Sequence, residues 1–458
     1  MNKSIKHSFF LPVLAAVVST VPTSRLPAQT NLYNFGGGLD GGDPQADLAL
    51  IGNTLYGTTD SGGNSGQGTI FAINTDGSGF STLYDFSGSD GGTPNRLVAL
   101  GNTLYGTTYF GGTSGHGTVF SINTDGKGFQ TLYSFNGTED GASPQGANIL
   151  SGNILYGTTY SGGTGGEGTI FKLNPNGTGF ATLYSFTATT PNGSGVSTNG
   201  DGTGPGLCLI LEVNTLYGTA YQGGSFGKGT VFKINTDGTA FTNLYTFTGA
   251  GDGANPWCDL ILSGNTLYGT AWGGGNSGNG TVFSINTDGT AFTVLHRFSG
   301  NDGRNPSNAG LALSGNMLYG TTFAGGSSGK GTVFGVGTDD TGFTNLYSFT
   351  GSLGAGPVAG LTLSGNKLYG TTTGGDSVNG TIFSIPVPVT QPQLSITPSD
   401  SNVILTWPTS AVGFTLQSTT NLASPAWSSN LPAPVVVNGQ NTVTNPISLS
   451  QQYYRLSK

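Results

Sequence analysis

The phrase Leu-Tyr-Gly-Thr-[Thr/Ala] occurs seven times in this 458-residue chain, and its spacing limits the possible folds more than any other feature. The tyrosines are Tyr56, Tyr105, Tyr156, Tyr217, Tyr268, Tyr319 and Tyr369, separated by 49, 51, 61, 51, 51 and 50 residues. Only the third interval carries an insertion, residues 187–200. A unit of this length built from short strands cannot bury a core alone, so neighbouring copies must pack on one another.

Residues 90–135 display the grammar of one unit. Asp90-Gly91 and Pro94 open it, and Leu97-Val98-Ala99-Leu100 follows. A Gly101-Asn102 turn leads to Leu104-Tyr105-Gly106-Thr107-Thr108-Tyr109. After a glycine-rich loop come Gly117-Thr118-Val119-Phe120-Ser121-Ile122, the turn Asn123-Thr124-Asp125-Gly126, and Phe129-Gln130-Thr131-Leu132-Tyr133-Ser134-Phe135. These are four β-branched and aromatic runs divided by turns that supply positive φ, so they form an antiparallel meander. No stretch has a 3.6-residue apolar period, and no helix is expected after the N-terminal segment.

The expected fold is all-β: a seven-bladed β-propeller of four-stranded blades over residues 31–385, then a small β-sandwich. The array begins with a lone outer-type strand, Leu32-Tyr33-Asn34-Phe35, and ends after a third-type strand, Gly380-Thr381-Ile382-Phe383-Ser384-Ile385. Seven such outer segments serve seven blades only if the N-terminal one completes the last blade, which removes a bare edge.

Residues 1–28 have the order of a signal peptide. Lys3, Lys6 and His7 precede the apolar residues 9–18, with Ser24 and Ala28 as small residues near a cleavage point. The apolar run is shorter than a membrane span and is interrupted by Pro12 and Pro22. Losing Lys3, Lys6 and Arg25 leaves 11 of the 14 basic residues against 22 acidic ones, a net charge near −11. Without a basic stretch, nucleic acid and anionic membrane are poor partners. Residues 386–392 form a proline-rich linker. Residues 393–458 carry their own strand pattern, with Trp407 as a core residue, similar to fibronectin-III or Ig-like modules. No apolar tail follows Tyr453-Tyr454-Arg455-Leu456, so no membrane insertion is expected after signal removal.

The Gly-Asn-x-Leu-Tyr-Gly-Thr-Thr, Gly-Thr-[Val/Ile]-Phe-x-Ile-Asn-Thr-Asp-Gly and Leu-Tyr-x-Phe phrases resemble the GloVer-type tandem repeat of "choice-of-anchor" exported bacterial proteins. The resemblance spans residues 31–385. It implies a secreted or cell-surface protein and assigns no activity.

Comparing the copies separates what the fold needs from what it tolerates. The Gly-Asn and Asn-Thr-Asp-Gly turns are nearly uniform and fall on one face. The second-to-third-strand loops and blade connections fall on the other, where Gln67, His116, Glu167, Lys228, Asn279, Lys330 and Asn379 share one position. Binding resides in variable loops on rigid scaffolds, so this loop face is the one of interest. Following each Leu-Tyr-Gly-Thr-x are Asp60, Tyr109, Tyr160, Tyr221, Trp272, Phe323 and Thr373. The five aromatics, Tyr109, Tyr160, Tyr221, Trp272 and Phe323, form a candidate sugar-stacking set. They share strand parity with the repeated tyrosine, so packing between blades is the alternative.

Asp40, Asp90, Asp140, Asp201, Asp252 and Asp302 recur at the connections, with Leu353 breaking the series. They are candidates either for calcium, the one cofactor considered, or for capping their own turns. Cys208 and Cys258 lie in adjacent units as a candidate disulfide or as two buried thiols. No nucleophile elbow, phosphate loop or histidine pair is present. Asp60 with Glu167, or Asp140 with Glu139, are the acidic pairs a glycosidase reading would use.

The function expected is a monomeric, non-catalytic binding or scaffold protein for extracellular polysaccharide or a surface protein. The alternatives are a carbohydrate-active lyase or hydrolase and a structural surface-layer component.

Overall fold

The computed structural model describes residues 29–145, 149–206, 209–306, 310–375, 379–387 and 394–399. It also describes 401–408, 414–421, 423, 425–437, 440–446 and 452–457. The signal-peptide segment, most of the linker and Cys208 lie outside the described residues. The chain divides into two compact units, with the repeats in one and the C-terminal residues in the other.

Every element of the described residues is a strand. Among the described residues the repeats give seven antiparallel sheets, each built on a four-stranded meander that runs in chain order in the first six. A separate two-stranded ribbon joins Thr190–Pro191 with Ser197–Thr198. In the second sheet the four strands are Val98–Leu100, Thr103–Phe110, Thr118–Asn123 and Gln130–Ser134. The first strand is shorter than the sequence pattern implied. Gly92–Pro94 pairs with the far end of the second strand, and Val98–Leu100 with its near end. Between them Asn95 still donates its N–H to the Thr107 carbonyl and its side-chain amide to the Pro144 carbonyl of the third sheet, while Arg96 reaches the first and fifth sheets.

The seventh sheet is made from both ends of the array. Thr30–Asn34 pairs with Thr381–Pro386, in the register Asn31↔Phe383 and Asn34↔Thr381. Its bulge falls between Asn31 and Tyr33, the same place as in the other third-to-fourth-strand pairings. Phe35, Leu48, Leu55, Phe71, Tyr369 and Ile382 then form one core cluster from the first and seventh sheets.

Phenylalanine supplies the cores. Phe71, Phe120, Phe171, Phe232, Phe283 and Phe334 come from third strands, Phe86 to Phe349 from the ends of fourth strands, and all are almost fully buried. Each such ring contributes about 1.5–3 kcal/mol by leaving water. They also explain the glycine of the repeated phrase: a Cβ on Gly106 would lie 2.6 Å from Phe120 Cζ, and one on Gly57 2.4 Å from Phe71 Cζ. The threonine that follows two residues later is fixed by a hydroxyl pair, as in Thr108···Thr118 at 2.9 Å. Ala220 and Ala271 replace it in the fourth and fifth sheets, and there Thr230 and Thr281 keep the bond to the Asp201 and Asp252 carbonyls that Thr118 also donates to Asp90.

One backbone bond repeats between consecutive sheets. The residue before each connecting proline donates its N–H to the variable loop residue of the preceding sheet: Thr93 to Gln67, Ser143 to His116, Gly204 to Glu167, Asn255 to Lys228, Asn305 to Asn279 and Gly356 to Lys330. Asp43 donates to Asn379 in the same way, and the seven distances run from 2.7 to 3.0 Å. All seven donors have φ between 49° and 61°, a left-handed conformation that five non-glycine residues adopt at a cost.

In the C-terminal unit, one sheet joins Ser395–Ser399, Asn402–Pro408, Gln440–Pro446 and Val435–Val437, and a second joins Thr415–Thr419 with Tyr453–Ser457. Leu405, Trp407, Leu416, Val443 and Tyr454 form its core.

Candidate functional site

The loop face is separated from its opposite by the turn pairing. Thr124 N–H donates to the Asn102 carbonyl, and equivalent bonds join the Asn-Thr-Asp-Gly and Gly-Asn turns of other sheets. The variable loops and proline connections therefore share the other face, as the alternation of a meander requires.

The second strand ends on that face at Tyr109, Tyr160, Tyr221, Trp272 and Phe323. Phe323 is 39 % exposed, and the other four are half-buried. The repeated tyrosines four residues earlier, on the same side of the strand, are only 4–8 % exposed. Parity is thus the same and environment is not. At two of these rings a glycine of the next connection lies alongside: a Cβ on Gly204 would come 2.7 Å from the Tyr160 ring, and one on Gly356 would come 3.0 Å from Phe323. There a backbone without side chain leaves the ring partly open.

The rings are also brought together. Tyr160 and Tyr221 both lie against Trp257, with centroids 6.4 and 5.0 Å away, and Trp272 lies 6.0 Å from Phe323. Trp257 donates from Nε1 to Gln145 Oε1 at 3.1 Å, joining the first-strand segments of the fifth and third sheets. Sequence comparison missed Trp257, because its counterparts are not aromatic and the repeat gives no reason to single it out. Burial pushes the Tyr160 hydroxyl above its ordinary pKa, with smaller contributions from Tyr221, Tyr109 and Glu167.

Asp60 holds the equivalent place in the first sheet. Its carboxyl is pushed up to about 7, first by burial and then by the carboxylate of Asp43, whose own pKa is raised by burial. The Asp60 N–H donates to the Asp43 carbonyl at 3.0 Å. The acidic neighbour of Asp60 is therefore Asp43. Glu167 is engaged elsewhere, accepting from the Thr189 hydroxyl of the insertion at 3.0 Å.

First-strand segments contribute a second group. Arg96 Nη1 lies 3.2 Å from Asp47 Oδ2 and also contacts Asp259 Oδ2, linking the second, first and fifth sheets. Asp47 further accepts from the Gly360 N–H of the seventh sheet. Two clustered carboxylates do occur here, bridged by one guanidinium that offsets one of their two charges.

The recurring aspartates take up the capping role in their own turns. Each accepts from its own loop and from the outer-strand tyrosine: Asp90 from Tyr84 Oη at 2.6 Å and Ser87 N at 2.8 Å, Asp140 from Tyr133 Oη at 3.0 Å and Asn136 N at 2.9 Å. Asp40, Asp201 and Asp252 repeat the pattern with Tyr33, Tyr184 and Tyr245. In the sixth copy His296 replaces the tyrosine, and its Nε2 lies 2.9 Å from Asp302. Among the described residues no group of three or more metal-ligating side chains gathers. The carboxylates are spent on turns, with the tyrosine hydroxyl as the partner that the sequence did not reveal.

Cys258 is a free, buried thiol that accepts from the Thr270 N–H at 3.2 Å, and burial pushes its pKa up to about 12. Its expected disulfide partner, Cys208, is not among the described residues. No helix among the described residues is long and apolar enough to cross a membrane.

Serial four-stranded antiparallel sheets, with no helix among the described residues, define an all-β, propeller-like protein. The chain belongs to the Gloeobacter/Verrucomicrobia repeat family, whose model matches residues 20–207 and 194–383. No curated protein matches it. Among solved structures it is similar to the oligogalacturonate lyase of Vibrio parahaemolyticus, at 10 % identity and TM-score 0.50, over 80 % of this chain and 95 % of that one. An oligogalacturonate lyase in complex with manganese matches at 11 % identity and TM-score 0.52, over 79 % and 94 %. The extracellular domain of a protein described as a one-component system from B. thetaiotaomicron matches at 11 % and 0.52, over 88 % of this chain and 48 % of that chain. At such identities the likeness concerns the fold alone.

Proposed function

We propose that residues 31–385 form a closed seven-bladed propeller on an exported protein, and that its loop face binds extracellular polysaccharide without catalysis. Ring closure accounts for the inter-sheet bond from Asp43 to Asn379 and for the strand shared between the two ends of the array. The observation that carries the binding role is the contrast between the buried repeated tyrosines and the half-open rings of Tyr109, Tyr160, Tyr221, Trp272 and Phe323. Rings that only packed between blades would be covered as Tyr268 is. Open aromatic faces in a polar surround suit the apolar faces of sugar rings. Trp257, fixed by Gln145, adds a rigid surface beside Tyr160 and Tyr221. A glycan array probed with the mature chain tests this directly: binding to at least one polysaccharide is expected, and binding only to proteins of a surface extract would favour the surface-protein reading instead.

One observation favours a catalytic reading. Asp60, with a carboxyl pKa near 7 beside Asp43, has the protonation range of a general acid. Incubating a bound glycan with wild type and with Asp60→Asn separates the two, since shortening of the glycan by wild type alone would establish catalysis.

A further inference from the structure

Charge is segregated over the loop face. Among the described residues its cations are Lys228, Arg297, Arg304 and Lys330, all exposed and all in the fourth to sixth sheets or the connections leading into them. None of them forms an ion pair among the described residues. Other carboxylates of this face lie outside that sector, at Asp43 and Asp60 of the first sheet and at Glu139 and Glu167 of the second-to-third connection and the third sheet. Within the cationic sector, Asp252 and Asp302 are held by Thr248 and Ser299 of their own loops.

The repeats indicate that these cations are not required by the fold. Arg304 corresponds to Gly42, Gly92, Ala142, Thr203, Ala254 and Ala355, all small and uncharged. Lys228 and Lys330 correspond to Asn279 and Asn379, which make the same backbone bonds to the next sheet. An arginine where glycine suffices serves something other than the sheet.

Three of these four cations, Lys228, Arg304 and Lys330, flank the aromatic set. Arg304 pairs with Ala324, next to Phe323, and precedes Asn305, whose side-chain amide donates to the Trp272 carbonyl at 3.0 Å. The Lys330 carbonyl accepts from Gly356, which abuts the Phe323 ring. The Lys228 carbonyl accepts from Asn255, and Asn255 in turn bonds Tyr221 and Trp272 through their backbones.

Resting on the reading that this face binds glycans, we infer that its ligand is a polyanionic polysaccharide. Sugar faces stack on Tyr221, Trp272 and Phe323, while carboxylate or sulfate groups meet Arg304, Lys228 and Lys330. A guanidinium presents a planar fork to either oxyanion, and ammonium groups add point charges. The chain is acidic overall, at −8, and would repel such a polymer from most of its surface. Screening over about 8–10 Å at ordinary salt confines that repulsion and lets the local cations select the docking sector.

The test compares wild type with the triple variant Lys228→Asn, Arg304→Ala, Lys330→Asn, whose substitutions are the residues sibling sheets already carry. Probes are polygalacturonate, chondroitin sulfate and dextran. Wild type is expected to bind a charged probe in preference to dextran and to lose affinity as salt rises. Preference for polygalacturonate would assign the anion as carboxylate, and preference for chondroitin sulfate as sulfate. The triple variant should melt as wild type does and bind the charged probe roughly tenfold or more weakly, the loss of one or more charge-assisted contacts. Equal binding of dextran, unaffected by the triple variant, would overturn the polyanion inference and leave glycan binding standing. A folded wild type that binds none of the three would retire both.

Discussion

The backbone N–H of Asp43 donates to the carbonyl of Asn379 at 2.8 Å, although 336 residues separate them in the chain. The same bond joins neighbouring sheets at six other places, each between residues about 25 to 40 apart. A bond that is local six times and maximally non-local once is what a ring produces. Beside it, a Cβ on Gly380 would come 2.5 Å from Pro44, as one on Gly117 would come 2.6 Å from Pro144.

The proposed closure makes the N-terminal strand a structural element of the seventh sheet, where it pairs with Thr381–Pro386. Deleting residues 31–38 removes the partner of Thr381–Pro386 and the buried ring of Phe35. The melting temperature should fall by roughly 10 °C or more, since each kcal/mol is worth a few degrees in a domain of this order. An unchanged melting temperature would contradict closure by this strand.

The glycine of the repeated phrase should be intolerant of even one methyl group. Gly106→Ala places Cβ against Phe120, whose ring is fully buried and cannot withdraw. About 1–3 kcal/mol of destabilisation is expected from overpacking, read from chemical denaturation. Gly101→Ala, in open space at a φ of 58°, is limited to the cost of its backbone conformation, about 1 kcal/mol.

Much of this architecture is legible in the chain. Period, strand grammar and turn residues predict the meanders, and the unequal ends of the array predict the shared strand. The split first strand is not legible, because Gly92–Pro94 reads as part of the connection that precedes the apolar run Leu97-Val98-Ala99-Leu100. Nor are the contacts that break the period. Arg96 with Asp47 and Asp259, and Trp257 with Gln145, join non-equivalent copies across the array, where comparing copies at one position carries no information. The tyrosine–aspartate bonds were hidden for another reason: both residues recur faithfully, and each alone has an adequate local explanation.

Asp60 should make stability depend on pH in a definite direction. Its folded-state pKa of about 7 lies above the ordinary 3.8, so the folded chain holds a proton that the unfolded chain has released. This contribution to stability is intact below pH 4 and is lost as pH rises toward and through 7. Asp60→Asn should match wild type near pH 4 and exceed it increasingly up to pH 8, measured by denaturant midpoints. Parallel pH profiles for the two proteins would refute the buried-acid account.

Trp257 was found only through the fold, and its role has its own test. Trp257→Phe keeps an aromatic face toward Tyr221 but loses the bond to Gln145, so glycan affinity should fall modestly. Trp257→Ala removes the face and should cost about tenfold or more. Equal losses in the two variants would assign its contribution to the hydrogen bond.

The central claim is that the five aromatics are a binding surface and the repeated tyrosines a packing surface. Trp272 and Tyr268 test it within one strand, four residues apart on the same side, the first half-buried and the second 8 % exposed. The decisive measurement is thermal unfolding and polysaccharide binding of Trp272→Ala and Tyr268→Ala in parallel. Trp272→Ala should bind roughly tenfold or more weakly while melting near wild type. Tyr268→Ala should lose about 3–5 kcal/mol, the cost of emptying a large aromatic site in the core. If Trp272→Ala unfolds as readily as Tyr268→Ala, the ring is blade packing and the binding surface proposed for this face does not exist.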